Sequence, residues 1–163
     1  MAQKPTQILS PGQFSPDLLE FIKLLQIRNV RYLIVGGQAV IYHGYARFTG
    51  DVDFLYANEP ENIQTLFAAL EQFWQGKIPG VEQAVELTET GIIIQFGRPP
   101  NRIYLLNQID GVEFEVAWKD RVTVEIPSKS SEIRAYFIDL TNLLRNKRAS
   151  SRPKDLDDLH ALE

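Results

Sequence analysis

Asp51 and Asp53 are separated by a single residue in the run DVDFLYA at 51–57. In an extended chain, side chains two positions apart leave the same face, so both carboxylates can reach one hard divalent cation such as Mg²⁺. Alone the pattern is weak, because Asp155-Leu156-Asp157 repeats it near the other end of the sequence, where a solvated helix face explains it. What sets the first pair apart is its neighbourhood. A β-branched and aromatic run, residues 31 to 35, stops at Gly36-Gly37, a helix-compatible stretch QAVIYHGY follows, and Arg47-Phe48-Thr49-Gly50 leads into the acids. A glycine pair between a strand and a helix start bares backbone N–H groups beside the positive helix end, which suits a phosphate. Carboxylates returning on the next strand would set a polyphosphate between amide donors and divalent ions. Phosphoryl or nucleotidyl transfer needs that arrangement for charge neutralisation and in-line attack.

These groups need elements to hold them. Ser15-Pro16-Asp17 is a helix start, with Ser15 as cap, Pro16 in the first turn and Asp17 at the positive end. Leu18, Phe21, Ile22 and Leu25 then recur on one face of a helix predicted over 16–27, ended by Arg28-Asn29. Strands are predicted at 31–35 and 51–57, and a second amphipathic helix from Asn58 to Trp74. Further strands are expected in GIIIQF, in 101–109 and in AYFIDL at 135–140, and helices in TNLLRNKR and from Pro153 onward. Residues 113–120, EFEVAWKD, alternate like a strand but are placed like a turn of helix, and the sequence leaves both open. The fold class expected is α/β (α+β), a small mixed central sheet flanked by helices.

With 163 residues, 44% of them hydrophobic and 23% charged, the chain suits one globular domain over 1–163. Residues 1–14 read as a polar lead-in and 141–163 as a C-terminal helical segment. There is no cysteine, which excludes a disulfide scaffold, a thiol nucleophile and thiolate zinc sites. The start has neither a signal-peptide run nor a transit-peptide pattern, and no apolar run approaches a bilayer span, so a cytoplasmic location without membrane contact is expected. At a net charge of −4, a polyanion site must come from local clustering. Arg145, Lys147, Arg148, Arg152 and Lys154 provide it, with no acid between them. They could grip a triphosphate or RNA phosphates, or merely offset the dipole at an exposed helix end. His43 and His160 have no partners at metal-ligand spacing, and Trp74 and Trp118 read as core or partner-surface aromatics.

The run IVGGQAVIYHGYARFTGDVDF resembles the Gly-Gly or Gly-Ser, then Arg-x-Thr-x-Asp-x-Asp motif of the DNA polymerase β-like nucleotidyltransferase superfamily. Its branch is that of the toxin-like enzymes related to AbiEii and small bacterial relatives. In LLRNKRASSRPKDLDDL, Lys147, Arg152, Lys154, Asp155 and Asp158 look like the Lys, then Arg-x-Lys/Arg-Asp-x-x-Asp signature of the same branch. The resemblance implies that Asp51 and Asp53 bind Mg²⁺ and are catalytic, and that Gly36 and Gly37 hold the NTP phosphates. It also implies that Arg47 contacts phosphate or locks the glycine loop, and that Lys147 and Arg152 are nucleotide-binding. Thr49 either contacts nucleotide or fixes the turn before the metal strand, the second reading being favoured.

One departure concerns the chemistry itself. The superfamily has a third carboxylate on a neighbouring strand, expected in a stretch like Arg-Ile-Asp-Leu-Leu, and here that stretch is Arg102-Ile103-Tyr104-Leu105-Leu106. A phenol with pKa near 10 is a poor Mg²⁺ ligand and a poor base at pH 7. Asp110 is the preferred substitute, although Asp110-Gly111 also reads as a turn and Glu113 and Glu115 as a solvated face.

The expected function is Mg²⁺-dependent transfer of NMP from NTP to a protein hydroxyl or an RNA end, toxin-like, with an antitoxin-like protein partner. Two alternatives stand beside it. One is a nucleotide-binding or regulatory domain impaired by Tyr104; the other is an RNA-binding module built on the basic segment.

Overall fold

The computed structural model describes residues 14–46, 49–98, 102–127 and 132–163. The chain runs α1 (Pro16–Ile27), β1 (Tyr32–Val35), α2 (Gly36–Tyr42), β2 (Asp51–Tyr56), α3 (Pro60–Phe73) and a 3-10 turn (Ala84–Thr88). It continues through β3 (Ile93–Phe96), β4 (Arg102–Leu106), α4 (Phe114–Lys119), β5 (Val122–Ile126), β6 (Ile133–Phe137), α5 (Leu140–Ser150) and α6 (Pro153–Leu162). The six strands form one mixed sheet in the order β3-β4-β2-β1-β6-β5, in keeping with a nucleotidyltransferase-like α+β fold. The β4/β2 and β1/β6 pairs are parallel and the other three antiparallel.

β1 lies mid-sheet and is buried along its whole length, which explains why its four residues, Tyr-Leu-Ile-Val, are apolar without alternation. The flanking β2 begins differently. Asp51 and Asp53 are half-buried while the alternating Val52 and Phe54 are buried, so the acids occupy the face that is partly open. Helix α1 starts as expected, with Ser15 Oγ accepting from the Leu18 N–H at 3.2 Å. Its Phe21 packs edge-on against Phe54 of β2 and Phe73 of α3, with ring centroids 5.2 and 5.3 Å apart. Each such buried aromatic removes apolar surface worth roughly 1.5–3 kcal/mol from water. Buried Asn62 of α3 ties the opposite end of the strand pair: it accepts from the Arg31 N–H at 2.7 Å and donates to the Arg31 and Ala57 carbonyls. The end of β2 and the start of β1 are thereby clamped, and the register Val35 to Asp53 follows.

Several boundaries differ from the sequence expectation. α3 begins at Pro60 because Glu59 caps it, its carboxylate accepting from the Asn62 N–H at 3.1 Å. β6 lies two residues earlier than expected, since Asp139 caps α5, accepting from the Asn142 N–H at 3.3 Å. Residues 114–119 are helical: Phe114 and Trp118, four apart, stack at 5.7 Å and 19°, and Ala117 is buried between turns. Phe14, counted with the lead-in, is buried against the core, while residues 1–13 lie outside those described. Among the described residues no helix is long and apolar enough to cross a membrane.

Candidate active site

The glycine pair is not a separate turn. β1 passes straight into α2, whose first residue is Gly36, and no side chain caps that end. Gly36 has φ of 65°, a conformation that disfavours any residue with a Cβ. There is a second reason for glycine: a Cβ on Gly36 would collide with Oδ2 of Asp53. The carboxylate of Asp53 therefore rests against the bare backbone where strand becomes helix. Gly37 faces Thr49, where an added Cβ would lie 3.0 Å from Oγ1, a tight fit. Thr49 in turn spans the approach to β2, its hydroxyl 3.4 Å from the Asp51 N–H and 3.5 Å from the Asp51 carbonyl, both long for hydrogen bonds. Arg47 lies outside the described residues.

Parallel pairing of β2 with β4 sets Arg102 abreast of Asp51 and Tyr104 abreast of Asp53. Directly paired residues share a face, so the strands present two acids, a guanidinium and a phenol side by side. Arg102 Nε lies 3.2 Å from Asp51 Oδ1, and Nη1 donates to the Tyr104 hydroxyl at 3.4 Å. The Nε contact is an ion pair without hydrogen-bond alignment, which leaves that buried N–H lacking an aligned acceptor. Arg102, Thr49 and Gly50 also line a cleft of about 160 Å³ that is closed by Gln38, Val52 and Phe14.

Burial pushes the Asp53 carboxyl up to about 6, the negative charge of Asp51 adds to this, and Lys154, Lys147 and Arg152 oppose it. The basic segment thus lies within electrostatic reach of the acids although it is about a hundred residues away in sequence. Its members are not alike. Lys147 is buried, its ammonium 3.0 Å from Asp155 and 3.1 Å from Asp158, with only 5% of the side chain exposed. Arg152 bonds the same Asp155 through Nε at 2.7 Å but is 76% exposed. Lys154, in the first turn of α6, is exposed.

Asp155 is not on a solvated face, as the second Asp-x-Asp suggested. It is buried, and although burial pulls its carboxyl upward, bonds from Arg152, Lys147 and Ser150 outweigh that and hold it well below the ordinary carboxylate range. Asp157 is exposed and accepts from the Tyr45 hydroxyl at 2.8 Å.

Asp110 and Gly111 form the expected turn, closed by a bridge between Ile109 and Val112. The turn packs on α5, with Asn146 Nδ2 donating to the Asp110 carbonyl at 2.9 Å and Ala149 filling the space a Gly111 Cβ would need. The charges of Asp110 and Asp53 both act on Arg152, so α6 and this turn border one region. Among the described residues, however, no three acidic or histidine side chains cluster tightly enough to hold an ion together, and Asp110 does not join Asp51 and Asp53 as a ligand. Glu115 is engaged elsewhere, 2.8 Å from Arg31. His43 contacts the Ile138 carbonyl through Nε2 at 2.8 Å.

This arrangement has a counterpart among known families. The model of one described as nucleotidyltransferase of unknown function (DUF6036) matches residues 16–163, nearly the whole chain. The chain belongs to this family of nucleotidyltransferases. No curated protein matched it. For a nucleotidyltransferase the substrate is an NTP.

The sequence pointed to most of this nucleotidyltransferase's converging groups, Lys154 among the clustered cations, and did not single out Arg102, although its spacing from Tyr104 copies that of Asp51 from Asp53. That α6 comes within reach of β2 follows only from folding.

Proposed function

We propose that the chain moves a nucleoside monophosphate from NTP to a hydroxyl on a protein or at an RNA end, with Mg²⁺, as toxin-like enzymes of the AbiEii branch do. The observation that carries this reading is Asp53 seated on the Gly36 backbone with Asp51 beside it on the open face of β2. Two carboxylates suit one Mg²⁺ that completes its shell with water and phosphate oxygens. When bound there, the ion would neutralise phosphate charge and polarise the α-phosphate.

The protein's own groups do the rest. Asp51 and Asp53 hold the ion. The backbone at Gly36 and Gly37, with Asp53 and Thr49 packed on it, receives the phosphates next to the acids, and exposed Arg152 and Lys154 draw the β and γ groups. Lys147 acts at one remove, since its pairs with Asp155 and Asp158 keep the start of α6, and with it Arg152, in place. The acceptor oxygen forms its bond to the α-phosphorus as the bond to the bridging oxygen breaks, and pyrophosphate leaves with that electron pair. Asp110, outside the metal pair and exposed at its turn, takes the hydroxyl proton. A protein partner of antitoxin type belongs to the same reading.

A second reading has its own observation. Tyr104 stands abreast of Asp53 where a third acid would complete a two-metal site, which favours a domain that binds nucleotide but transfers it poorly. The RNA-binding alternative loses one of its five cations, because Lys147 is buried in ion pairs with Asp155 and Asp158.

Incubation with each labelled NTP, Mg²⁺ and total RNA or cell lysate tests these readings. Label transferred by the wild type and not by Asp51→Ala/Asp53→Ala is the expected result. Bound but untransferred NTP would select the second reading, and transfer gained by Tyr104→Asp would identify the missing group.

A further inference from the structure

We infer that the acids form a one-cation site, in which the Arg102 guanidinium stands as a fixed charge of the protein's own where a second divalent ion would otherwise sit. The inference rests on the reading of Asp51 and Asp53 as the metal and nucleotide site. It concerns how that site balances charge.

Paired ions in two-metal sites lie roughly 3.5–4 Å apart and share carboxylates. Here the shared acid would be Asp51 or Asp53, and a third acid would face them from β4. β4 instead presents Arg102 and Tyr104 at the two positions abreast of the acids. Arg102 Nε lies 3.2 Å from Asp51 Oδ1, so an ion bound to that oxygen at about 2.1 Å would lie within about 5 Å of the guanidinium nitrogen and be repelled by it. The side chain is not a surface arginine that could swing away freely. It is 32% exposed, its Nη1 reaches the Tyr104 hydroxyl at 3.4 Å, and it lines the cleft behind β2.

Charge gives the same answer. Asp51, Asp53 and Arg102 sum to −1, which one Mg²⁺ turns to +1, enough to attract a triphosphate. Two ions would bring the cluster to +3 with no third acid to offset them. Arg102 is on this account a positioning residue, holding Asp51 and excluding the second ion.

The test counts Mn²⁺, read as loss of the free-ion electron paramagnetic resonance signal, on full-length protein with each α,β-methylene NTP, which cannot be cleaved at the α-phosphate. The wild type and Arg102→Lys are expected to bind one Mn²⁺ per nucleotide complex, and Arg102→Met/Tyr104→Asp two. For Arg102→Met alone without nucleotide, Mn²⁺ is expected to bind at least tenfold more tightly, because Asp51 is released. Circular dichroism melts report whether each variant is folded. Two ions on the wild type would overturn the inference while leaving the nucleotide reading intact. So would unchanged Mn²⁺ affinity in folded Arg102→Met. No binding of any nucleotide by folded wild type would remove both.

Discussion

Two charged clusters lie within reach of each other, and they are built on opposite terms. Around Lys147, two acids and two cations are paired at 2.7 to 3.1 Å, and Lys147, Asp155 and Asp158 are buried. Around Asp53, the one guanidinium at hand pairs with Asp51, and neither acid is fully buried. The first cluster lowers the Asp155 carboxyl and the second raises that of Asp53. A paired ionic cluster holds two helices together, whereas an under-neutralised one suits the metal and nucleotide role proposed for Asp51 and Asp53.

The contrast can be broken most severely at the acids. Asp51→Ala/Asp53→Ala is expected to reduce NMP transfer below detection in the labelled-NTP assay while the melting temperature is kept. Lys147→Met attacks the other cluster. It leaves Asp155 and Asp158 buried without the ammonium they share, and urea titration should show a loss of about 3–5 kcal/mol. If instead stability holds and transfer alone falls, Lys147 belongs with the nucleotide and not with the helices.

Gly36→Ala probes the seat of Asp53. The positive φ and the collision with Oδ2 together should cost about 1–3 kcal/mol in the same titration, and should lower Mn²⁺ affinity as Asp53 is displaced. The smallest expected effect has the most diagnostic sign. A raised carboxyl favours the folded state when protonated, so the contribution of Asp53 to stability is fully present below about pH 4 and is lost as pH rises through about 6. Metal-free Asp53→Asn should therefore be more stable than wild type by about 1–2 kcal/mol at pH 7.5 and equal to it near pH 3.5. The Asp155 cluster has the reverse dependence. Its stabilisation is present above the ordinary carboxylate range and lost as pH falls below it, so acid melts of Lys147→Met and wild type should converge.

Much of the architecture was legible because it is local. α1 follows from apolar spacing and from Ser15 at its start, α3 from apolar spacing alone, and β1 from an unbroken apolar run. Residues 113–120 resisted because alternation and i, i+4 pairing coexist there, and only the Phe114–Trp118 stack and the burial of Ala117 select the helix. The acids were legible from their motif. The roles of Lys147 and Asp155 were not, since the same charges that read as phosphate ligands or solvated face become a buried cluster once α6 folds back on α5.

By itself the sequence determined most of the strands and cover helices, though not β5, and that Asp51 and Asp53 leave one face of a strand beside a glycine pair, because periodicity and backbone sterics act over a few residues. Only the tertiary structure decided what stands opposite them. The parallel register of β2 with β4 put Arg102 and Tyr104 abreast of the acids, and the return of α6 brought Arg152 and Lys154 within their field. Charge acts through distance in space, and in this chain the distances that govern the site are set by strand pairing and helix packing between segments about fifty to a hundred residues apart.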